Sequence, residues 1–185
     1  MRKDAELNRQ KILSSVESLI QQQDMDKIGM REIASAAQIG MGTLYRHYPN
    51  KSALCMDLVY GNLQHFIDTA SEYLGCYQGN PEVALHYILS EYLVFRENNM
   101  GLLESVESNW KQGQVFYQSE LYSQLVMLLT RVLKPLKPMF SDKELTFTAE
   151  MLTAMLKSDI YAFERLHKGL SQEEILSSLI KLLLN

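Results

Sequence analysis

The chain has 185 residues, of which 46% are hydrophobic and 9% aromatic, a composition that fits a folded globular protein and excludes a disordered chain. The formal net charge is −4, but residues 1–52 hold eight Lys and Arg against six Asp and Glu, whereas residues 53–185 hold ten against sixteen. A basic front can approach a phosphate backbone while an acidic remainder is held away from it. No apolar run is long enough for a signal peptide or a membrane span, so we expect a soluble cytoplasmic protein with no membrane partner.

Three helices are predicted in residues 1–50. Residues 5–22 place leucine, isoleucine and valine three to five positions apart, which indicates an amphipathic first helix. Gly29 can cap a short second helix from Met30 to Ala37, and a break at residues 38–40 leads into a third helix from Met41 to Tyr48. Two short helices joined by a tight turn, with small residues where they cross, are typical of a helix-turn-helix.

A long fourth helix is predicted to leave this N-terminal domain. Pro49 cannot continue the preceding helix, Asn50 is a favoured N-cap, and apolar residues then keep helical spacing as far as Leu74. Further helices are predicted from Asn80 to about Asn98, over 102–111, over 115–133, near 142–167 and over 172–184. Since no run alternates with period two, we predict an all-α fold of about nine helices, with a three-helix domain over 1–50 joined by the long helix to a helical domain over 51–185.

The last two predicted helices, each opened by a capping box at Ser141 or Ser171, are apolar over more than one stripe. An apolar band wider than one core contact needs a second partner. A homodimer built from residues 142–184 in the manner of a four-helix bundle meets that need. The alternative is that both helices lie in the centre of their own domain.

The stretch from Gly40 to Lys51 has the chemistry of a DNA-reading element. A helix fits the major groove of B-DNA, and residues at its N-terminus reach base edges. Gly42 would allow close approach, and Met41 could touch a thymine methyl group. Candidate contacts to phosphates or bases are Thr43, Tyr45, Arg46 and His47, with Lys51 at the start of the next helix, where free N–H groups also favour a phosphate.

Three strings resemble the N-terminal domain of the TetR (TetR/AcrR) family of transcriptional regulators: Arg9-x-x-Ile12-Leu13, Arg31-Glu32-Ile33-Ala34-x-x-Ala37, and Gly42 to Tyr48 followed by Asn50-Lys51. The family pattern often has glycine in the turn and serine or threonine at the helix caps, whereas this chain has Gln38 in the turn and Gly29 and Gly40 at the caps. A glycine cap costs little beside serine, so the fold expectation is unchanged.

The resemblance implies a homodimer on a palindromic DNA operator, most often a repressor that is released when a small molecule enters the larger C-terminal domain. It implies that residues 1–50 bind DNA and that residues 51–185 bind the ligand and dimerise. Leu44 would be a packing residue. The residues implied to contact phosphates or bases are Thr43, Tyr45, His47, Tyr48 and Lys51.

The segment from Tyr87 to Met127 is the candidate ligand pocket because it is rich in aromatic and methionine side chains, which line most small-molecule cavities. The predicted lining is Tyr87, Tyr92, Phe95, Trp110, Phe116, Tyr117, Tyr122 and Met127. The alternative is that each is an ordinary core residue. We expect an apolar or aromatic ligand, and a cationic one if Glu91, Glu104 or Glu107 is buried; the simpler alternative is that these glutamates lie on a solvated face.

The sequence offers little for an enzyme or for a bound cofactor. Histidines 47, 65, 86 and 167 form no HxxxH pair, and no nucleophile, base or metal set converges. Gly40-Met41-Gly42 follows no strand and lacks the third glycine of a dinucleotide fingerprint. We therefore predict no catalytic residue, no metal and no cofactor. A second hypothesis is a helical small-molecule-binding protein whose N-terminal domain no longer binds DNA.

Overall fold

A computed structural model describes residues 2–107 and 115–184, and within these ranges every regular element is helical. The α-helices are α1 Arg2–Ile20, α2 Met30–Ala36, α3 Met41–His47, α4 Lys51–Cys76, α5 Pro81–Asn98, α6 Met100–Glu107, α7 Glu120–Leu133, α8 Asp142–Met155, α9 Ser158–Ala162 and α10 Gln172–Leu184. A 3₁₀ turn spans Met25–Lys27, and a π-helical segment spans Phe163–His167. Nine α-helices in the described ranges have seven or more residues, so the all-α prediction of about nine helices is confirmed.

The chain forms two compact units. Unit 1 comprises Met1–Val59 and Gly101–Val106, and unit 2 comprises Tyr60–Met100 and Glu107–Asn185. The division therefore falls inside α4, after its first nine residues, and α6 lies mainly in unit 1 although its sequence neighbours belong to unit 2. The boundary that the sequence placed at residue 50 stays a prediction of where DNA binding ends.

Unit 1 is a small core built by the first four helices. α1 packs on α2 and α2 packs on α3, with Ile12, Ile33 and Leu44 fully buried between them. The turn between α2 and α3 places Gln38 at φ 55°, in the left-handed region that glycine adopts most easily. The Ile39 N–H donates to the Ala34 carbonyl and closes this turn. The helix-turn-helix geometry is thus kept without a glycine in the turn.

Unit 2 is a layered helical core. α5 packs against α7 and α10, and α7 packs against α8. The fully buried side chains of α5 and α7 are all aliphatic: Leu85, Ile88, Leu89, Leu93, Leu125, Leu129 and Leu133. Both predicted capping boxes are present, since the Ser141 and Ser171 N–H groups donate to Glu144 and Glu174 at 2.7 Å each. No helix of the described residues combines the length and apolarity needed to cross a bilayer.

Two predicted helix boundaries were wrong. The helix expected over 115–133 is interrupted: residues 115–117 are helical, residues 118 and 119 are not, and α7 begins at Glu120, where the Ser119 hydroxyl accepts the Tyr122 N–H at 3.1 Å. The helix expected near 142–167 is broken where Lys157 adopts an extended conformation, at φ −59° and ψ 151°. α9 then restarts, with the Asp159 carboxylate accepting the Ile160 N–H at 2.9 Å.

Candidate nucleic-acid interface and ligand cavity

Helix α3 has a buried side and an exposed side. Leu44 is 0% exposed and holds the helix on the core of unit 1, as predicted for a packing residue. Tyr45, next in sequence, is 49% exposed, and Arg46 is also exposed. Thr43 and His47 are partly exposed on either side of them. The outer side of α3 therefore carries polar, aromatic and basic groups, while the buried Leu44 side holds the helix on the core of unit 1.

The glycines at the start of α3 have no packing role inside the protein. A Cβ atom built on Gly40 or on Gly42 would meet no other atom within 4 Å. Gly40 also has φ −71°, which any residue adopts. Neither space nor backbone conformation therefore requires glycine at these positions, and Met41 between them is partly exposed.

Lys51 begins α4 and is partly exposed. The Asn50 carboxamide accepts the Ala53 N–H at 2.8 Å, which confirms Asn50 as the predicted cap of this helix. The cap uses one of the free N–H groups of the first turn, and the positive end of the helix dipole stays beside the Lys51 ammonium. This end of α4 is therefore electropositive.

Tyr48 differs from the prediction that it contacts DNA. Its side chain is only 5% exposed, and its hydroxyl donates to Asp57 Oδ2 at 2.5 Å. Burial and this hydrogen bond both raise the pKa of Tyr48, so the hydroxyl stays protonated and directed inward. In this geometry Tyr48 is a packing residue that connects the end of α3 to α4.

An ion pair completes this connection, and the sequence reading missed it. Arg9 of α1 donates to Asp57 through Nε at 2.8 Å and through Nη2 at 2.7 Å, a two-pronged contact. Burial alone would raise the pKa of Asp57, but the hydrogen bonds from Arg9 and Tyr48 outweigh it and the pKa lies below the usual value. Arg9 belongs to the first family-like string, yet nothing in the sequence pairs it with a carboxylate 48 positions away.

The predicted ligand residues divide between two places in unit 2. Tyr87 and Phe95 line a cavity of about 340 Å³ between α4 and α5. Tyr117, Tyr122 and Met127 line a groove of about 590 Å³ between α7 and α8. The sequence put all of these side chains in one pocket, and the structure does not bring them together.

Three members of the predicted set remain. Two of them line neither cavity, and the third cannot be placed. Tyr92 is 2% exposed and packs its ring 5.5 Å from that of Phe66, so it is a core residue. Phe116 packs against Tyr60 and Tyr122, at ring distances of 5.9 and 5.2 Å. Trp110 lies outside the described residues.

The α4 wall of the first cavity was also missed. It consists of Asn62, His65, Phe66, Thr69 and Ala70. These positions share one helical stripe, but the same stripe is what any buried helix shows, so spacing alone could not mark it as a pocket wall. Over the ranges that the structure describes, no group of three or more His, Cys, Asp or Glu side chains could hold a metal ion.

The fold and the exposed face of α3 define a class, the helix-turn-helix proteins with a helical second unit. Comparison with known proteins makes this specific. The family model for bacterial regulatory proteins of the tetR family matches residues 12–56. The HTH-type transcriptional regulator SAUSA300_2515 of Staphylococcus aureus (strain USA300) is 32% identical over 185 residues, covering 100% of this chain and 97% of that protein. The chain belongs to the TetR family and is a DNA-binding transcriptional regulator.

Solved structures share the whole fold. Thermus thermophilus FadR, a repressor in complex with lauroyl-CoA, gives a TM-score of 0.72 at 21% identity, covering 95% of this chain and 93% of that one. Bacillus subtilis FadR in complex with stearoyl-CoA gives a TM-score of 0.69 at 14% identity, covering 95% and 97%. At these identities the likeness concerns the fold.

Proposed function

We propose that this protein is a homodimeric repressor that binds a palindromic operator through α3 and the start of α4, and that a small molecule bound in unit 2 releases it. The observation that carries the proposal is the exposed face of α3 on a buried base. The residues proposed to touch DNA are Met41, Gly42, Thr43, Tyr45, Arg46, His47 and Lys51; Tyr48 is left out because it is buried.

The glycines support this assignment. The protein's own packing does not require glycine at position 40 or 42. We attribute the glycines to DNA binding, because a residue without a side chain lets the DNA backbone approach the start of α3 closely. Lys51 and the free N–H groups at the electropositive start of α4 would bind a DNA phosphate. Tyr45 is the largest exposed side chain of α3 and has a hydroxyl that can bond a phosphate or a base edge.

The test is a mobility shift of the promoter fragment beside the protein's own gene, measured over a series of salt concentrations. The double variant Tyr45→Ala, Lys51→Ala should stay folded and lose affinity, and the salt slope should fall by about 0.9 for each phosphate contact removed. Lys181→Ala is the control, since it also removes one lysine charge, but from an exposed position of α10 in unit 2. An unchanged affinity and salt slope in the double variant would contradict the assignment.

The dimer is proposed from an apolar stripe on α8. Phe147, Met151 and Met155 recur every fourth residue and are 61%, 43% and 40% exposed, although Leu145, Ala149 and Leu152 of the same helix are buried. A row of large apolar side chains on the outer face of a helix is costly in water unless another surface covers it. Ile160 and Phe163 extend the exposed apolar surface beyond α8.

Within residues 142–184, this points to α8 and the segment after it more than to α10. Three large apolar residues of α10, Ile175, Leu176 and Leu179, are buried, and α10 packs against α5. Leu182 is the one large apolar side chain of α10 that is exposed to the same degree as the α8 stripe, at 63%. We expect Met151→Lys to convert the dimer to a monomer in light scattering, with the helix content unchanged. Ser178→Lys on the exposed face of α10 is the control and should leave the dimer intact. A dimeric Met151→Lys variant would place the interface elsewhere.

Helix α4 is the proposed link between ligand and DNA. It runs without a break from Lys51 to Cys76, and its residues between Asn62 and Ala70 form one wall of the 340 Å³ cavity. A ligand that changes the tilt of α4 would change the separation of the two recognition helices in the dimer. Half-sites lie about 34–36 Å apart, so a shift of a few Å breaks register. Equal separations in DNA-bound and ligand-bound structures would contradict this mechanism.

A further inference from the structure

The cavity between α4 and α5 has an aromatic side. Phe66 and Phe95 are 8% and 7% exposed, and their rings stack at 6.1 Å, so this wall is fixed by the core behind it. Tyr87 adds a third, partly exposed ring. At about 340 Å³ the cavity is at the small end of the range for ligand sites, which is about 300–1,000 Å³.

The hydrogen bonds beside the cavity determine which atoms of Asn62 and Asn99 donate and which accept. Asn99 Nδ2 donates to the Phe95 carbonyl at 2.8 Å, and a carbonyl can only accept. Asn99 must therefore use its Oδ1 toward Asn62, which donates through Nδ2 at 2.7 Å. The carboxamide of Asn62 is left with Oδ1, an acceptor, on a side chain that lines the cavity.

The described lining carries a carboxylate and no Lys or Arg. Glu91 contributes the carboxylate, and none of the eleven lining residues within the described ranges is Lys or Arg. Glu91 is only partly exposed, and no ion pair within the described ranges uses its carboxylate. The cavity thus offers a carboxylate and an amide oxygen, both acceptors, beside three aromatic rings; Thr69, Tyr87 and Asn98 add groups that can donate or accept. His65, which is exposed, also lines the cavity.

We propose that this cavity binds a compact protonated amine with an aromatic body. The ammonium N–H groups would donate to Glu91 and to Asn62 Oδ1, while the charge and the aromatic body pack against the rings of Phe66, Tyr87 and Phe95. This inference rests on the proposed function, since it names the chemistry of the ligand that releases the repressor. An acyl-CoA does not suit the described part of the lining, because its phosphates would face Glu91 and no Lys or Arg among those residues would compensate them.

The test measures binding by calorimetry to the DNA-free, full-length dimer. The probes are tryptamine and dansylcadaverine, each beside its N-acetylated form, which keeps the aromatic body and removes the charge. Lauroyl-CoA is the anionic probe. We expect each amine to bind at least about tenfold more tightly than its acetylated form, because hydrogen bonds to charged groups contribute more than neutral ones. Lauroyl-CoA should not compete for the site.

Glu91→Gln keeps the shape of the side chain and should weaken amine binding about tenfold while leaving the acetylated probes unchanged. Glu82→Gln is the control, because Glu82 is exposed at the start of the same helix and does not line the cavity. Equal binding of charged and acetylated probes, no binding of either amine, or an unchanged Glu91→Gln variant would overturn the proposal. Operator binding is measured separately by mobility shift, so a wrong ligand class and a failed regulator give different results.

Discussion

The polar side chains around Asp57 in unit 1 and those lining the cavity of unit 2 differ in how far other groups of the protein satisfy them. In unit 1, Asp57 receives three hydrogen bonds, two from Arg9 and one from Tyr48, and they connect α1, the end of α3 and α4. In unit 2, the cavity between α4 and α5 contains Glu91, whose carboxylate has no ion-pair partner among the described residues. One cluster is complete within the protein, and the other retains the capacity to bind something else.

This difference indicates a division of labour. A satisfied, partly buried network fixes the groups that form it, so the exposed face of α3 is held in one geometry before DNA arrives. A cavity with free acceptors is suited to a ligand that brings the missing donors. Substitution of Asp57 should therefore lower the stability of unit 1 and loosen the exposed face of α3. Substitution of Glu91 should change ligand binding and leave stability nearly unchanged.

The largest effect is expected for Asp57→Asn. The substitution removes the charge that pairs with Arg9 and places a carboxamide N–H group where an acceptor is needed. The free energy of unfolding should fall by about 1–3 kcal/mol. Urea denaturation followed by circular dichroism measures this, with Asp68→Asn as the control, because Asp68 is exposed on the same helix. An equal loss in both variants would remove the cluster from the explanation.

The difference in stability between wild type and Asp57→Asn should depend on pH. The pKa of Asp57 is lower in the folded protein than in the unfolded chain, so its ionised form stabilises the fold above the unfolded-state pKa of about 3.9. That stabilisation is lost as the pH falls through the folded-state value. The difference in stability between wild type and Asp57→Asn should therefore be full at about pH 6 and should shrink below about pH 4. A difference that is constant with pH would contradict the assigned role.

A smaller effect is expected for Tyr48→Phe, which keeps the buried ring and removes the hydroxyl. Asp57 retains both bonds from Arg9, so the cost in stability should be about 1 kcal/mol. Because Tyr48 is buried, the salt dependence of operator binding should match that of wild type, unlike the change expected for Tyr45→Ala. A lower salt slope for Tyr48→Phe would restore Tyr48 as a phosphate contact.

The exposed face of α3 could be predicted because its information is local. Within one short helix, the packing residue Leu44 determines which side is buried, and Tyr45 and Arg46, which follow it, face outward. The helix caps could be predicted for the same reason, since Asn50, Ser141 and Ser171 each accept an N–H group three residues away. Tyr48 was misassigned because the family-like string does not show which of its polar residues faces the core.

The cavity could be predicted only in part, because its walls come from segments far apart in the chain. Asn62 and Asn99 meet across 37 positions, and Arg9 and Asp57 across 48. No helical period specifies such pairs, because they depend on how whole helices pack. The aromatic and methionine residues from Tyr87 to Met127 were expected to line one pocket, but packing placed some in a cavity, some in a groove and some in the core.

The smallest perturbation uses the two cysteines as reporters, one in each unit. Cys55 is buried in unit 1, and burial raises its pKa to about 11, whereas Cys76 is exposed at the end of α4 in unit 2. At pH 8 only about one Cys55 side chain in a thousand would be the reactive thiolate. A thiol reagent should therefore modify Cys76 quickly and Cys55 only when unit 1 opens.

Cys76→Ser isolates the slow reaction of Cys55, so its rate measures how often unit 1 opens. Asp57→Asn in that background should raise the rate, because the cluster that closes unit 1 is weakened, while Glu91→Gln should leave it unchanged. Rapid modification of Cys55 in the otherwise native protein would show that unit 1 is not held closed. Equal acceleration by both substitutions would show that the two polar clusters do not differ in the way that their hydrogen bonds indicate.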